Sequence, residues 1–153
     1  MNTLKFQILG IPVPKQSMKV TKGGMKYQPK KITNANRNIR AQIANQLPRG
    51  FEPFDKPLRI YYRFVFPYTS DISKRKRNSG IKLWKDKKPD LDNLQKLIND
   101  AMEGVVFVRD AQICSIRAEK FMDSVPRVDV EVSLLNGGLK KIEKIINTNK
   151  SLF

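Results

Sequence analysis

The sequence contains no histidine. That absence removes the Ser-His-Asp triad, the Cys-His pair, His-ligated zinc and every His-centred nuclease motif. The one cysteine, Cys114, allows neither a disulfide within the chain nor a zinc site built from a cysteine cluster. Its neighbours Ile113 and Ile116 favour a small buried residue over a nucleophile. No apolar run approaches the roughly 18 residues of a membrane span. The first residues lack the basic-then-apolar pattern of a secretory signal, so a cytoplasmic protein with no membrane partner is expected. Any general base must come from Asp, Glu, Lys, Tyr or a metal-bound water.

Acids are scarce as well. Fourteen Asp and Glu against 30 Lys and Arg leave a net charge of +16 and a pI near 10.1. An excess of that size points to a polyanionic partner. With 40% hydrophobic residues and eight Phe, the chain is no disordered basic tail. Its 153 residues suit one domain whose core needs neither metal nor disulfide to fold.

Periodicity places the elements. Residues 3–9 alternate apolar and polar as a half-buried strand, which the prolines after Gly10 break. Residues 18–28 read as a small hairpin turned at Lys22-Gly-Gly. Thr33 or Asn34 caps a helix reaching Leu47, with Ile39, Ile43 and Leu47 on one face. Residues 58–66 form the clearest strand, carrying Leu58, Ile60, Tyr62, Phe64 and Phe66 on one side. A long polar segment fills 67–89. A helix from Leu91 to about Glu103 turns Leu91, Leu94, Ile98, Ala101 and Met102 inward and stops at Gly104. Strands follow near 113–121 and 128–135. The core domain therefore spans 1–135, and a basic tail, 136–153, carries a short amphipathic helix over 139–146. Strands and helices do not alternate regularly, so the fold class is α+β: a mixed, mainly antiparallel sheet with two main helices.

The charge is unevenly laid out. Between Lys74 and Lys88 stand eight Lys or Arg and a single acid, Asp86. Such a run is either a solvated loop or a phosphate-binding surface; Trp84 within it can stack on a base or ribose. Four of the nine aspartates then fall between 90 and 110: Asp90, Asp92, Asp100 and Asp110. Carboxylates beside a nucleic-acid surface repel phosphate unless a cation stands between them, and Mg²⁺ takes hard oxygen ligands of this kind.

Asp90 and Asp92 would diverge by about 200° on a regular helix. They converge on one ion only if Asp90 is non-helical, which its place at the helix start allows. Lys96, four residues after Asp92, shares its face. The plain alternative remains open: Asp90 caps, Asp92 complements the helix dipole, and Lys96 makes an ordinary pair with it. Asp110 reads equally as a turn residue, and Asp100 as a solvated or helix-structural one. A restriction-type site fails, because after Pro89-Asp90 no acid has Lys two positions on. The acid-rich twelve-residue Ca²⁺ loop is missing too.

The segment Asp90-Leu-Asp92-Asn93-Leu-Gln-Lys96, with Asp100-Ala, Gly104-Val-Val and Asp110-Ala-Gln112, resembles the RusA family of Holliday junction resolvases. Gly10-Ile-Pro-Val-Pro14-Lys15 and Tyr27-Gln-Pro29-Lys30-Lys31 fit as well, so the resemblance covers roughly residues 4–134. It implies a small homodimeric Mg²⁺-dependent endonuclease, bacterial or phage-encoded, that resolves four-way or other branched DNA by paired symmetrical nicks. It also implies that Asp90, Asp92 and Asp110 bind the metal and that Lys96 serves cleavage. Where other members often carry paired acids before Ala-Gln, this chain has Arg109-Asp110. The phosphate-contact candidates are Lys15, Lys30, Lys31, Lys74, Arg75, Lys76, Arg77, Lys85, Lys87 and Lys88. A non-catalytic basic nucleic-acid-binding accessory protein of phage origin would account for the charge equally well.

Overall fold

The computed structural model describes residues 1–136, so all of the expected basic tail except Asn136 lies outside the described residues. The chain runs β1 (Thr3–Leu9), β2 (Lys19–Val20), β3 (Lys26–Tyr27), α1 (Lys30–Ala44), β4 (Leu58–Phe66), α2 (Lys74–Arg77), β5 (Leu83–Trp84), α3 (Leu91–Met102), a 3₁₀ turn (Asp110–Gln112), β6 (Ile113–Met122) and β7 (Arg127–Leu134). Five strands form one sheet in the order β1-β7-β4-β6-β5. Only β4 and β6 are parallel; β1–β7, β7–β4 and β6–β5 are antiparallel. The main helices α1 and α3 pack on one face, giving the expected α+β architecture with a mixed, mainly antiparallel sheet.

The alternating pattern explains the layering. Register aligns side chains of one face in rows across the sheet, Leu4–Val132–Ile60–Ile116, Phe6–Val130–Tyr62–Ala118 and Ile8–Val128–Phe64–Lys120, the first ending on an exposed Ile116. Ile60, Tyr62 and Phe64 are wholly buried beneath the helices, each contributing about 1.5–3 kcal/mol as apolar surface leaves water. The last row ends on a lysine where the period calls for an apolar residue, a departure that bears on the site.

Three local expectations need correction. Helix α1 begins at Lys30 rather than at a Thr33 or Asn34 cap, and Pro29 precedes it with no side-chain cap bond. Burying Ile32 together with Ile39 and Ile43 extends the helix one turn, so packing outweighs the capping preference. The polar segment 67–89 holds the single turn α2 and the two-residue β5, both too short to leave a periodic signal. Cys114 is exposed, not buried. Leu58 pairs with Ile113 but Arg59 with Ser115, so Cys114 is the extra residue of a bulge and leaves the inward alternation.

The outer edge of β1 is closed by a helix. Gln46 accepts from Gln7 N (3.0 Å) and donates to Gln7 O (2.6 Å), while Gln42 accepts from Leu9 N (2.8 Å) and donates to Leu9 O (3.3 Å). Two amides four residues apart thus stand in for a neighbouring strand and cover an edge that would otherwise template aggregation. Replacing both with alanine should cost about 1–3 kcal/mol in urea unfolding and promote concentration-dependent association. An unchanged urea midpoint and sedimentation profile would show that the edge needs no cover.

Candidate active site

The apolar face of α3, formed by Leu94, Leu97, Ile98, Ala101 and Met102, seats the helix on the core. Asp90, just before it, is extended (φ −71°, ψ 142°), the non-helical state that convergence with Asp92 requires. Its carboxylate forms no cap bond. Asp92 lies in the first turn, where Lys96 Nζ donates to it at 3.1 Å. That hydrogen bond and the ammonium charge, aided by the Asn93 backbone, hold the Asp92 carboxyl below its ordinary range. Both aspartates are exposed, so an acid pair and a cation face solvent at a helix N-terminus.

Asp110 lies elsewhere. Lys120, near the end of β6, donates to the carbonyls of Lys87 (2.8 Å) and Pro89 (2.7 Å) just before α3. Gln112, immediately before β6, donates to Phe54 O (2.9 Å) and Lys56 O (3.0 Å) just before β4. Helix α3 therefore runs antiparallel to β4 and β6, with Asp90 and Asp92 at one end and Asp110 beyond the other. Twelve helical residues span about 18 Å. Among the described residues no three carboxylate or thiol side chains gather as a metal cluster. Asp110 is exposed in its 3₁₀ turn, held by Gln112, whose amide oxygen also accepts from Arg109 N at 2.7 Å. Among the described residues neither Asp90 nor Asp110 has a side-chain hydrogen-bond or ion-pair partner.

A family model described as "Endodeoxyribonuclease RusA" matches residues 10–133. The chain belongs to the RusA family. It is 30% identical over 132 residues to a crossover junction endodeoxyribonuclease rusA of Lactococcus phage r1t, covering 84% of this chain and 95% of the phage protein. It is also 26% identical over 140 residues to the uncharacterized protein YqaN of Bacillus subtilis strain 168, covering 86% and 96% respectively. The RusA match takes in both ends of α3 and the whole basic run.

The basic candidates of this RusA-family chain fall into distinct settings. Lys30 and Lys31 are exposed in the first turn of α1, and Lys74, Arg75, Lys76 and Arg77 form the exposed α2, capped by Ser73. Arg77 lies over Tyr68, half-buried Lys85 over the Phe66 ring, and Lys82 over exposed Trp84. Lys87 and Lys88 are exposed and lead straight into Asp90. Lys15 is already engaged: its ammonium pairs with Asp100 and its N–H donates to Asn93 O, strapping residues 10–15 to α3. Asp100, read from sequence as solvated or structural, is thus one half of that strap.

Lys120 escaped the sequence reading although a signal for it exists. Ile116, Ala118 and Met122 share its side of β6, and a lysine in such a series needs partners for its ammonium. It finds them in the two carbonyls that precede Asp90. Lys120→Met keeps the stem and strands both carbonyls, so urea unfolding should show a loss of about 1–3 kcal/mol. No change would mean that other contacts hold the loop.

Glu119, one residue earlier, faces the opposite side of the sheet. Lys82 (2.6 Å), with Tyr61 and Arg117 (2.9 Å), lowers its carboxyl from 4.5 to about 2. A depressed pKa adds stability that is complete above the ordinary value and lost as pH falls through the folded one. Between pH 5 and 2, Glu119→Gln should therefore lose less stability than the native chain. Identical pH profiles would show that these cations do not stabilise the carboxylate.

Proposed function

We propose that this RusA-family chain is a Mg²⁺-dependent, structure-selective endodeoxyribonuclease that resolves four-way junctions as a homodimer in the bacterial cytoplasm, during recombination and repair. The observation carrying this reading is the pair of exposed carboxylates at the start of α3, one unpartnered and the other held only by Lys96, at the end of a basic run.

The donor set fits the ion. Mg²⁺ is commonly held by one or two carboxylates, with water and phosphate completing its shell, and Asp90 and Asp92 supply two. When bound, the metal would polarise the scissile phosphate and make hydroxide available without a histidine base. Lys96, held beside Asp92, is placed to donate to the phosphoryl oxygens as charge builds, worth about 2–4 kcal/mol for such stabilisers. Lys30, Lys31, α2, Lys85, Lys87 and Lys88 would bind the backbone and contribute affinity without reading sequence. Lys15 would do so only in competition with Asp100.

The position of Asp110 gives the dimer a chemical purpose. Since α3 separates it from Asp90 and Asp92 within one chain, Asp110 completes the ligand set only from a second copy. A two-fold dimer then builds two equivalent sites, matching the two strands that paired nicking requires.

A labelled four-way junction and a matched linear duplex, each with and without Mg²⁺, test this. The native chain should nick the junction alone and only with Mg²⁺; Asp92→Asn should bind it yet nick at least about a hundredfold more slowly. Nicking by Asp92→Asn at the native rate would remove these carboxylates from the site. Binding by the native chain without nicks would identify a non-catalytic binding protein. Mixing Asp92→Asn with Asp110→Asn chains should restore about a quarter of the activity, because each mixed dimer keeps one intact site. No recovery after subunit exchange would place Asp110 outside a shared site.

A further inference from the structure

The β2–β3 hairpin takes no part in the core. It forms a two-stranded sheet of its own, pairing Lys19 with Tyr27 and Val20 with Lys26. Its turn is closed by Thr21 N to Met25 O (2.9 Å), Gly24 N to Thr21 O (2.9 Å) and Met25 N to Thr21 Oγ1 (3.1 Å), with Gly24 at φ +82°. Val20 is 59% exposed, Met25 71% and Tyr27 45%. By the register, Met25 and Tyr27 share one face and Val20 lies on the other; a pair of large exposed apolar side chains on one face marks a surface that something covers.

Charge selects the occupant. The first 51 residues contain ten Lys and Arg and no acid, and Lys19, Lys22 and Lys26 lie on the hairpin itself. A second copy of so cationic an arm would repel it. The complementary partner is a polyanion that also offers apolar faces, which is the description of a nucleic acid whose bases have come unstacked. The arm is also placed for that partner. Lys15 N is bonded to Asn93 O at 2.9 Å in the first turn of α3, so the hairpin leaves the body three residues later from beside Asp92. It returns through Pro29 into the exposed Lys30 and Lys31 of α1.

We infer that the β2–β3 hairpin is a DNA-engaging arm that discriminates branched from linear DNA. Lys19, Lys22 and Lys26 follow the phosphate backbone, while Met25 and Tyr27 lie against base faces opened at a branch point. A continuous duplex hides those faces in its stack, so the apolar contact forms only where the helix is interrupted. The inference rests on the reading of the chain as a junction nuclease and adds where selectivity resides.

The test compares full-length native chain with Met25→Ser/Tyr27→Ser and Lys19→Gln/Lys22→Gln/Lys26→Gln variants. Affinities are measured in Mg²⁺-free buffer for a four-way junction and a linear duplex, with 2-aminopurine beside the branch point. Circular dichroism confirms folding, which these exposed positions do not threaten. The apolar variant should lose about tenfold affinity for the junction, less than twofold for the duplex, and the 2-aminopurine response. The lysine variant should weaken on both DNAs and reduce the salt slope by about two to three. If the native chain nicks the junction while the apolar variant binds both DNAs like the native chain, the arm inference fails and the nuclease reading stands. If the apolar variant changes oligomeric state rather than DNA affinity, the arm is a protein interface and the inference fails. If the native chain neither binds nor nicks the junction, the nuclease reading fails and takes the inference with it.

Discussion

Five apolar side chains, Leu94, Leu97, Ile98, Ala101 and Met102, seat α3 against the sheet. That burial decides where every candidate catalytic group lies. A helix fixed along its whole length cannot bring its two ends together, so the aspartates before and after it face different regions of solvent. The hydrogen bond from Tyr62 to Asn99 adds a polar peg midway along the contact, between the buried central strand and the helix. A single site holding all three aspartates would then need a contribution from outside the single chain. The same seating carries the basic run directly to the acid pair, because the segment before α3 has to reach the far end of β6, where Lys120 holds it.

The charge of the molecule is arranged around this frame rather than spread evenly. Asp100, Glu119, Asp129 and Glu131 each meet a cation within the fold, tying Lys15, Lys82 with Arg117, Arg63 with Arg127, and Lys5. Asp129 is the one buried polar or charged residue among the described residues, and its two arginines with Gln7 satisfy it. The acids that serve the fold are paired; Asp90 and Asp110 are left open to solvent. A net charge of +16 also makes the folded chain repel itself, so a polyanion relieves strain as it binds.

Much of this was legible in the sequence where one force acts alone. Alternation placed β1, a one-sided apolar face placed β4, and the apolar stripe of α3 with its Gly104 stop placed that helix to within a residue. The expected extended state of Asp90 followed from the need for two nearby carboxylates to converge. What sequence concealed were outcomes of competition or of distance. Burial of Ile32 overrode a capping signal, a bulge turned Cys114 out of its alternation, and β5 exists only because β6 is there to pair with it. The strap from Lys15 to Asp100 joins residues that no local pattern relates. The separation of Asp110 from Asp90 is likewise invisible in a motif whose spacing looks compact, because the intervening residues form a rigid rod rather than a loop.

The bulge at the start of β6 gives the molecule a built-in reporter. It presents the chain's one thiol to solvent, four residues from Asp110, where Cys114 Sγ lies 3.4 Å from Gln112 O. A spin label or fluorophore attached there would need no background cysteine removed. In a symmetric pair of chains it would appear once per copy, beside the aspartate proposed to act across the interface. A single thiol turned outward by a register slip thus makes the distance between two such sites directly measurable.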